Sequence, residues 1–334
     1  MIVRVYENPE IARLHNPKFT YHLEGRSPQV YPEVGERIIG KLLSQGEFEV
    51  CSINELHPKV LEVIENNIDG KYLSWLFSKA KECQEKNVEY LLDESGDFLK
   101  DSITPITSEV IRAILCSVSI GLYAIDDLIS LNQPLIFYLL CRPPGHHAGR
   151  EKGGGFCYLN NVGLSIDYLN SIIERKRIAV LDLDLHLGNG TIEYLKDVLN
   201  TKYYSIHLDV EKCYPYLSIE EQRELYQLNR NIELTQFEQG TTEDAYLHKL
   251  KEIINKINEE HFDYLFISMG YDTHEKDPCN GFCLMTESYK KIAELLAKEI
   301  SIPIIAFHEG GYNVESAYSC RMAFLDGLKG GANV

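Results

Sequence analysis

The stretch IAVLDLDLHLGNG, residues 178–190, decides how this chain is read. Ile178, Ala179, Val180 and Leu181 form an apolar run with no polar relief, the pattern of a strand buried on both faces. Asp182, Asp184 and His186 then follow at alternate positions. In an extended chain, residues i, i+2 and i+4 share one face. Gly188, Asn189 and Gly190 break the strand. The expectation is a parallel strand ending in a one-sided fan of two carboxylates and one imidazole. In open α/β sheets ligands bind at that carboxyl edge. The competing reading makes the two Asp helix caps and His186 a surface residue. Three ionisable groups directly behind a buried run argue against it, because charge at such a place is rarely kept without a partner.

Strands and helices alternate on both sides of this stretch. MIVRVY (1–6), FEVCSI (48–53), PLIFYLLC (134–141), KYYSIHLD (202–209), the strand opening YLFISMGYDTHEKDP (264–278) and IPIIAFHEGGYN (302–313) read as further strands. Helical spacing predicts helices from about residue 33, then over about 58–91, 108–131, 161–174, 190–199, 242–260, 286–300 and 314–328. Residues 7–34, 92–108 and 210–242 read as irregular. The second of these carries Asp93, Glu94, Asp97 and Asp101, and is either a solvated acidic loop or a functional one. No linker interrupts the alternation. The fold class is α/β: a three-layer α/β/α domain with a central, mostly parallel sheet, spanning residues 1–334.

Composition narrows the partners. The chain has 33 Lys and Arg against 50 Asp and Glu, a formal charge of −17. Such a surface repels phosphate backbones and anionic membranes and draws in small cations, so nucleic acid and membrane are not expected. No run reaches the ~18 apolar residues of a membrane span. The nine Cys are odd in number and follow no disulfide framework, which fits a reducing cytoplasm. The oligomeric state stays open, a homo-oligomer included.

The other strand ends carry chemistry too. PLIFYLLC runs into RPPGHHAGREKGGGFCYLNN (142–161), with His146 and His147 at the mouth and a glycine run behind them. Two adjacent His do not easily chelate one ion in an extended chain, so acid–base duty is the more natural role. Asp272 follows the 264–269 strand, and Tyr312 follows the last one. Two carboxylates and an imidazole leave an open position on a metal, as catalytic zinc requires.

RPPGHHA (142–148), GGFCYLNN (154–161), DLDLHLGNGT (182–191), SIH (205–207), GYDTHEKDP (270–278) and EGGYN (309–313) together resemble, in order, the zinc-dependent histone deacetylase and acetylpolyamine amidohydrolase family of the arginase–deacetylase superfamily. The resemblance covers nearly the whole chain and is stronger to the acetylpolyamine amidohydrolases. It implies the arginase–deacetylase fold, with Asp184, His186 and Asp272 as zinc ligands. It implies a structural K+ held by Asp182, the Asp184 and His186 backbone and Ser205, with Asp182 also orienting His146. It implies His147 as general base and acid, His146 as electrostatic support and Tyr312 as donor to the oxyanion. The Gly155 carbonyl would accept the substrate N–H, and Phe156 and Tyr214 would wall an acyl tunnel.

Three positions depart from the family pattern. Leu187 stands where a second His is usual, which touches metal tuning but not a direct ligand. Asn189 replaces an Asp found in some members; it can bond to His147 but carries no charge, which lowers that imidazole's pKa relative to an Asp partner. YPEVGER (31–37) is closer to the acetylpolyamine amidohydrolase form than to the histone deacetylase form.

Three functions are compared. The first is removal of acetyl groups from small cationic acetylated amines, most of all acetylpolyamines, with Asp93 or Glu94 and Glu275 pairing with the distal ammonium. The second is deacetylation of acetyl-lysine in proteins. The third is non-catalytic binding of acetylated ligands, against which the intact His146, His147 and Tyr312 speak.

Overall fold

Asp182 closes the fully buried strand Ile178–Asp182 (β4) of the opening stretch, and that strand sits near the middle of one sheet. The computed structural model describes residues 2–14, 32–46, 48–93, 95–131, 135–174, 176–229 and 231–331. Among them the strands are β1 (Ile2–Glu7), β2 (Glu49–Ser52), β3 (Leu135–Leu139), β4 (Ile178–Asp182), β5 (Thr201–Leu208), β6 (Ile232–Phe237), β7 (Tyr264–Met269) and β8 (Ile304–His308). The helices are α1 (Ile11–Leu14), α2 (Pro32–Gln45), α3 (Val60–Asn67), α4 (Gly70–Glu85), α5 (Val110–Ser130), α6 (Asn161–Ile172), α7 (Asn189–Tyr194), α8 (Ile219–Leu228), α9 (Glu243–Glu260), α10 (Thr286–Glu299) and α11 (Val314–Gly331).

All eight strands pair parallel, in the order β2-β1-β3-β8-β7-β4-β5-β6. The chain lays β3, then jumps two places to start β4, and later fills the gap with β7 and β8. That leaves β3, β8, β7 and β4 side by side, although they are far apart in sequence. Their carboxyl ends are the ones that carry the candidate residues.

Strand alternation builds two cores. Phe137, Leu139, Ile178 and Val180 face the layer that includes α3, α4, α5 and α6. Ile136, Tyr138, Ala179 and Leu181 face the layer of α2, α9, α10 and α11. Each fully buried aliphatic side chain contributes roughly 1.5–3 kcal/mol, so a sheet covered on both faces holds its strand ends firmly. Helix α5 is long and apolar enough to cross a membrane by composition, but 67% of its most apolar window is buried inside the protein. It is a core helix between the sheet and its neighbours.

The helical stretches expected over residues 58–91 are α3 and α4, divided where Asp69 caps α4 by accepting the N–H groups of Lys71 and Tyr72, and the second ends at Glu85. One expectation needs correction. The 210–242 segment is not wholly irregular. It holds α8, announced by a capping box in which Ser218 and Glu221 bond each other's backbone. It also holds β6, an edge strand whose residues are mostly half-buried, so it lacks the apolar run that marks the central strands. Tyr31 and the side chains of residues 32–37 lie outside the described residues, as does Glu94.

Candidate active site

Beyond Asp182 the chain curls rather than running on as a strand. Asp182 Oδ1 accepts the Asp184 N–H at 3.2 Å, and Asp184 Oδ1 accepts the His186 N–H at 2.9 Å. The alternation survives the curl. Leu183 and Leu185 are fully buried in the core beside α9 and α10, while Asp184 and His186 turn to the other side. Asp272, just past β7, joins them. The ligand atoms of Asp184, His186 and Asp272 all lie within 4.8 Å of one another.

This trio has the form of a cation site. Asp184 Oδ2 accepts the Gly310 N–H, and Asp272 Oδ1 accepts the Leu185 N–H. Asp272 Oδ2 is buried and has no hydrogen-bond partner, although His186 Nδ1 lies 3.0 Å away. His186 Nδ1 also lies 3.1 Å from Asp184 Oδ1, so three ligand-type atoms crowd one point, the donor set of a metal ion. Gly310 leaves the room for one: a Cβ there would come 2.5 Å from Asp272 Oδ2 and 2.7 Å from Asp184 Oδ2. Burial, reinforced by Asp184, pushes the Asp272 carboxyl above its ordinary value. A divalent cation relieves that cost.

The two histidines take opposite charge states. His146 Nδ1 lies 3.2 Å from Asp182 Oδ2, and its Nε2 lies 3.7 Å from Asp184 Oδ1. Burial opposes charge on this ring, but Asp184 and Asp182 outweigh it and push its pKa up to about 10. His147 is held well below the ordinary histidine value by burial and then by its neighbours His146 and His186. Its Nδ1 meets Asn189 Oδ1 at 2.8 Å. A carbonyl oxygen can only accept, so Nδ1 carries the proton and Nε2 is left as a free base.

Around this centre stand aromatic rings. The Tyr214 ring packs edge-on to His147 at 4.6 Å, and the Tyr312 ring is edge-on to His186 at 6.4 Å. Phe156 stands 6.1 Å from Tyr312, centroid to centroid. Burial raises the Tyr312 phenol well above its ordinary pKa, so it is a protonated donor at neutral pH. Gly155 takes a left-handed φ of 55°, and a Cβ on it would sit 2.3 Å from His147 Cδ2. No side chain fits there.

Several residues acquire their roles only in three dimensions. Asp101 Oδ2 accepts both the Gly155 N–H at 2.6 Å and the Tyr214 hydroxyl at 3.2 Å. Its Oδ1 accepts the N–H groups of Ile103 and Thr104, and Thr104 Oγ1 in turn accepts the Phe156 N–H. One acidic loop residue thus fastens both aromatic walls. The spacing Asp101…Thr104 was its only signal. Glu309 Oε2 accepts the Gly145 and His146 N–H groups and so fixes the approach to the histidine pair. Burial pushes its pKa up to about 7. A Glu directly after an apolar strand was the clue. A second trio of ligand-type groups, His146, Cys157 and Glu309, is also close, but His146 and Glu309 are already engaged as described.

Asp93 does not present its carboxylate to a ligand. It is 5% exposed, with its oxygens accepting Ser95 N–H, Ser95 Oγ–H and Leu99 N–H, so it holds the 93–99 turn together. Glu275 is exposed on the loop just after Asp272. Ser205 pairs across β4 and β5 with Asp182, and its Oγ lies 3.0 Å from His207 Nδ1. Asp182 Oδ2 also accepts the Tyr203 hydroxyl. Leu187 is buried in the core beside the sheet, where an apolar side chain needs no hydrogen-bond partner.

The histone deacetylase domain matches residues 4–328. The chain belongs to the histone deacetylase family. An acetylpolyamine amidohydrolase of Burkholderia pseudomallei is 27% identical over 341 residues, covering 97% of this chain and 98% of that one. Acetylpolyamine amidohydrolase 1 of Pseudomonas aeruginosa is 33% identical over 249 residues, covering 72% and 69%. The crystal structure of acetylpolyamine aminohydrolase from Burkholderia pseudomallei superposes with a TM-score of 0.83 at 24% identity, over 99% of both chains. That likeness fixes the arginase–deacetylase fold for this family member.

Proposed function

We propose that this protein is a zinc-dependent amidohydrolase that removes acetyl groups from acetylated amines, with acetylpolyamines as its preferred substrates. The observation that carries the reading is the convergence of Asp184, His186 and Asp272 beside His147 held by Asn189, His146 held by Asp182, and the Tyr312 phenol. Two carboxylates and one imidazole would hold zinc with a position open to substrate. When bound, the ion supplies Lewis acidity toward the acetyl carbonyl and acidifies a water.

The side chains divide the remaining work. His147 Nε2 takes a proton from the attacking water as its oxygen adds to the carbonyl carbon, and returns a proton to the amine as the C–N bond breaks. Acetate and the ammonium form of the amine leave, the second water proton passing from the new acid to the amine. His146, cationic against Asp182 and Asp184, keeps positive charge beside the reacting carbonyl. Tyr312 donates its O–H to the developing oxyanion, an interaction worth ~3–4 kcal/mol in comparable sites. The Gly155 carbonyl accepts the substrate N–H, and Phe156 and Tyr214 flank the acyl chain. A structural K+ is assigned to Asp182, the Asp184 and His186 backbone and Ser205; the register pairing of Asp182 with Ser205 supports it.

Polyamines are favoured because they are small polycations and the chain carries a net charge of −17. The two relatives described above, both named acetylpolyamine amidohydrolases, support it. Glu275 and Glu94 are assigned to the distal ammonium; Asp93 is not. Nine free cysteines support a reducing cytoplasmic location. The test is the zinc-loaded protein assayed side by side on acetylputrescine, acetylcadaverine, acetylspermidines and acetyl-lysine peptides. Higher kcat/KM on the polyamines is expected. Much faster turnover of peptides would overturn the substrate choice and leave the chemistry standing, and no hydrolysis of any of them would overturn both.

A further inference from the structure

The loop that carries Asp272 and the loop that carries Tyr312 run side by side, and one buried carboxylate ties them together. Asp277 is 2% exposed. Its Oδ2 accepts the Tyr312 N–H at 2.7 Å and the Asn313 N–H at 3.2 Å, while its Oδ1 accepts the Cys279 N–H at 3.0 Å. Asn313 answers by donating its Nδ2–H to the Lys276 carbonyl at 3.1 Å. At the other end of the loop, the Tyr271 N–H bonds to the Gly310 carbonyl at 2.9 Å.

Tyr312 needs such support. It lies between β8, which ends at His308, and α11, which begins at Val314, so neither element's hydrogen bonds set its backbone. Gly311 before it takes φ of 135°, a conformation side chains rarely adopt. A phenol serving an oxyanion must be held to within about half an ångström, and the misplacement of such a donor costs rate more than it costs binding.

We propose that Asp277 is a positioning residue for Tyr312: it pins the backbone of the phenol to the same loop that supplies the metal ligand Asp272, so that donor and ligand keep a fixed separation. This rests on the deacetylase reading of the site. An aspartate suits the task because both oxygens accept, three N–H groups in all. In Asp277→Asn, the amide NH2 would face one of those donors.

The test is a double-variant cycle on the metal-loaded full chain, with metal content measured alongside kinetics on an acetylated amine. Asp277→Asn should lower kcat about 10- to 100-fold, with KM and metal stoichiometry little changed. In a Tyr312→Phe background the same change should cost less than about 3-fold, since the group it positions is gone. Equal losses in both backgrounds, or no loss in the wild-type background, would overturn the proposal. Should Asp277→Asn fail to fold, Asn313→Ala removes the second strap, and a smaller loss present only with Tyr312 intact is expected; a loss of the same size in both backgrounds would overturn it. A fluorinated tyrosine at position 312, read by fluorine NMR, separates the two ideas. Its resonance should shift or broaden in Asp277→Asn whether or not any acetylated amine is hydrolysed. An unchanged resonance would sink the positioning role, whereas wild-type inactivity on every acetylated amine would sink the functional reading alone.

Discussion

His147 and Asn189 are joined through Nδ1 and Oδ1 at 2.8 Å, so the imidazole proposed as the base leans on a neutral amide. With burial and two imidazole neighbours already holding its pKa down, His147 is neutral and able to accept a proton below the ordinary histidine value. The acid limb of kcat/KM should therefore lie below pH ~6.5. Asn189→Asp adds a negative charge that favours the imidazolium, raises the pKa and moves that limb to higher pH by about one unit. A pH–rate profile of the two proteins checks the sign; a limb that stays put or moves to lower pH would disconnect His147 from the rate.

Tyr312→Phe keeps the ring that stands against Phe156 and His186 and removes only the hydroxyl. Turnover should fall by about 10²- to 10³-fold, with metal content and melting temperature unchanged. Wild-type kcat in this variant would remove the phenol from the mechanism.

Gly155→Ala combines a left-handed backbone with a methyl pushed against His147 and Tyr214. The expected result is a folded protein with kcat/KM reduced by at least ~10². Near-normal kinetics would mean that the tunnel wall is looser than its packing indicates.

Asp101→Ala releases the Gly155 N–H and the Tyr214 hydroxyl together. A loss of about 10- to 100-fold in kcat/KM is expected, from 1–3 kcal/mol of lost hydrogen bonding. Steady-state kinetics, with a thermal melt as control, decide it, and an intact rate would show that the walls stand without the clamp.

Glu275→Gln should raise KM for acetylpolyamines by about 2- to 5-fold and leave an uncharged acetamide unaffected, because an exposed ion pair contributes little. Equal effects on both substrates would free Glu275 of any selectivity role. Rates on the polycations should also fall with ionic strength.

The placement of the candidate site residues was legible in the sequence where side chains sit at the ends of buried strands. The apolar run 178–181 placed Asp184 and His186, and the same logic placed Asp272, His146, His147 and Tyr312 at the ends of strands that prove to be neighbours in the sheet. The neighbour relation itself was not legible, because β7 and β8 are inserted between strands made much earlier. Edge strand β6 was missed because half-buried residues such as Glu233 and Thr235 carry no run to read. Asp93 was misjudged for a related reason. An acidic loop residue looks the same in sequence whether it faces a ligand or ties its own turn, and here Ser95 and Leu99 consume its lone pairs. Asp101, Glu309 and Asp277 act on backbone N–H groups far along the chain, and such partners leave no local pattern.

Because Asp101 joins the Gly155 backbone to Tyr214 from a loop that precedes every strand end of the site, the spacing of the proposed acyl walls is governed from outside the cluster of Asp184, His186 and Asp272. On the proposed function, changes of acyl-size preference arise by editing residues 95–104 with the strand-end carboxylates, imidazoles and phenol untouched. Evolution of new substrates on this scaffold need not risk the chemistry it already performs.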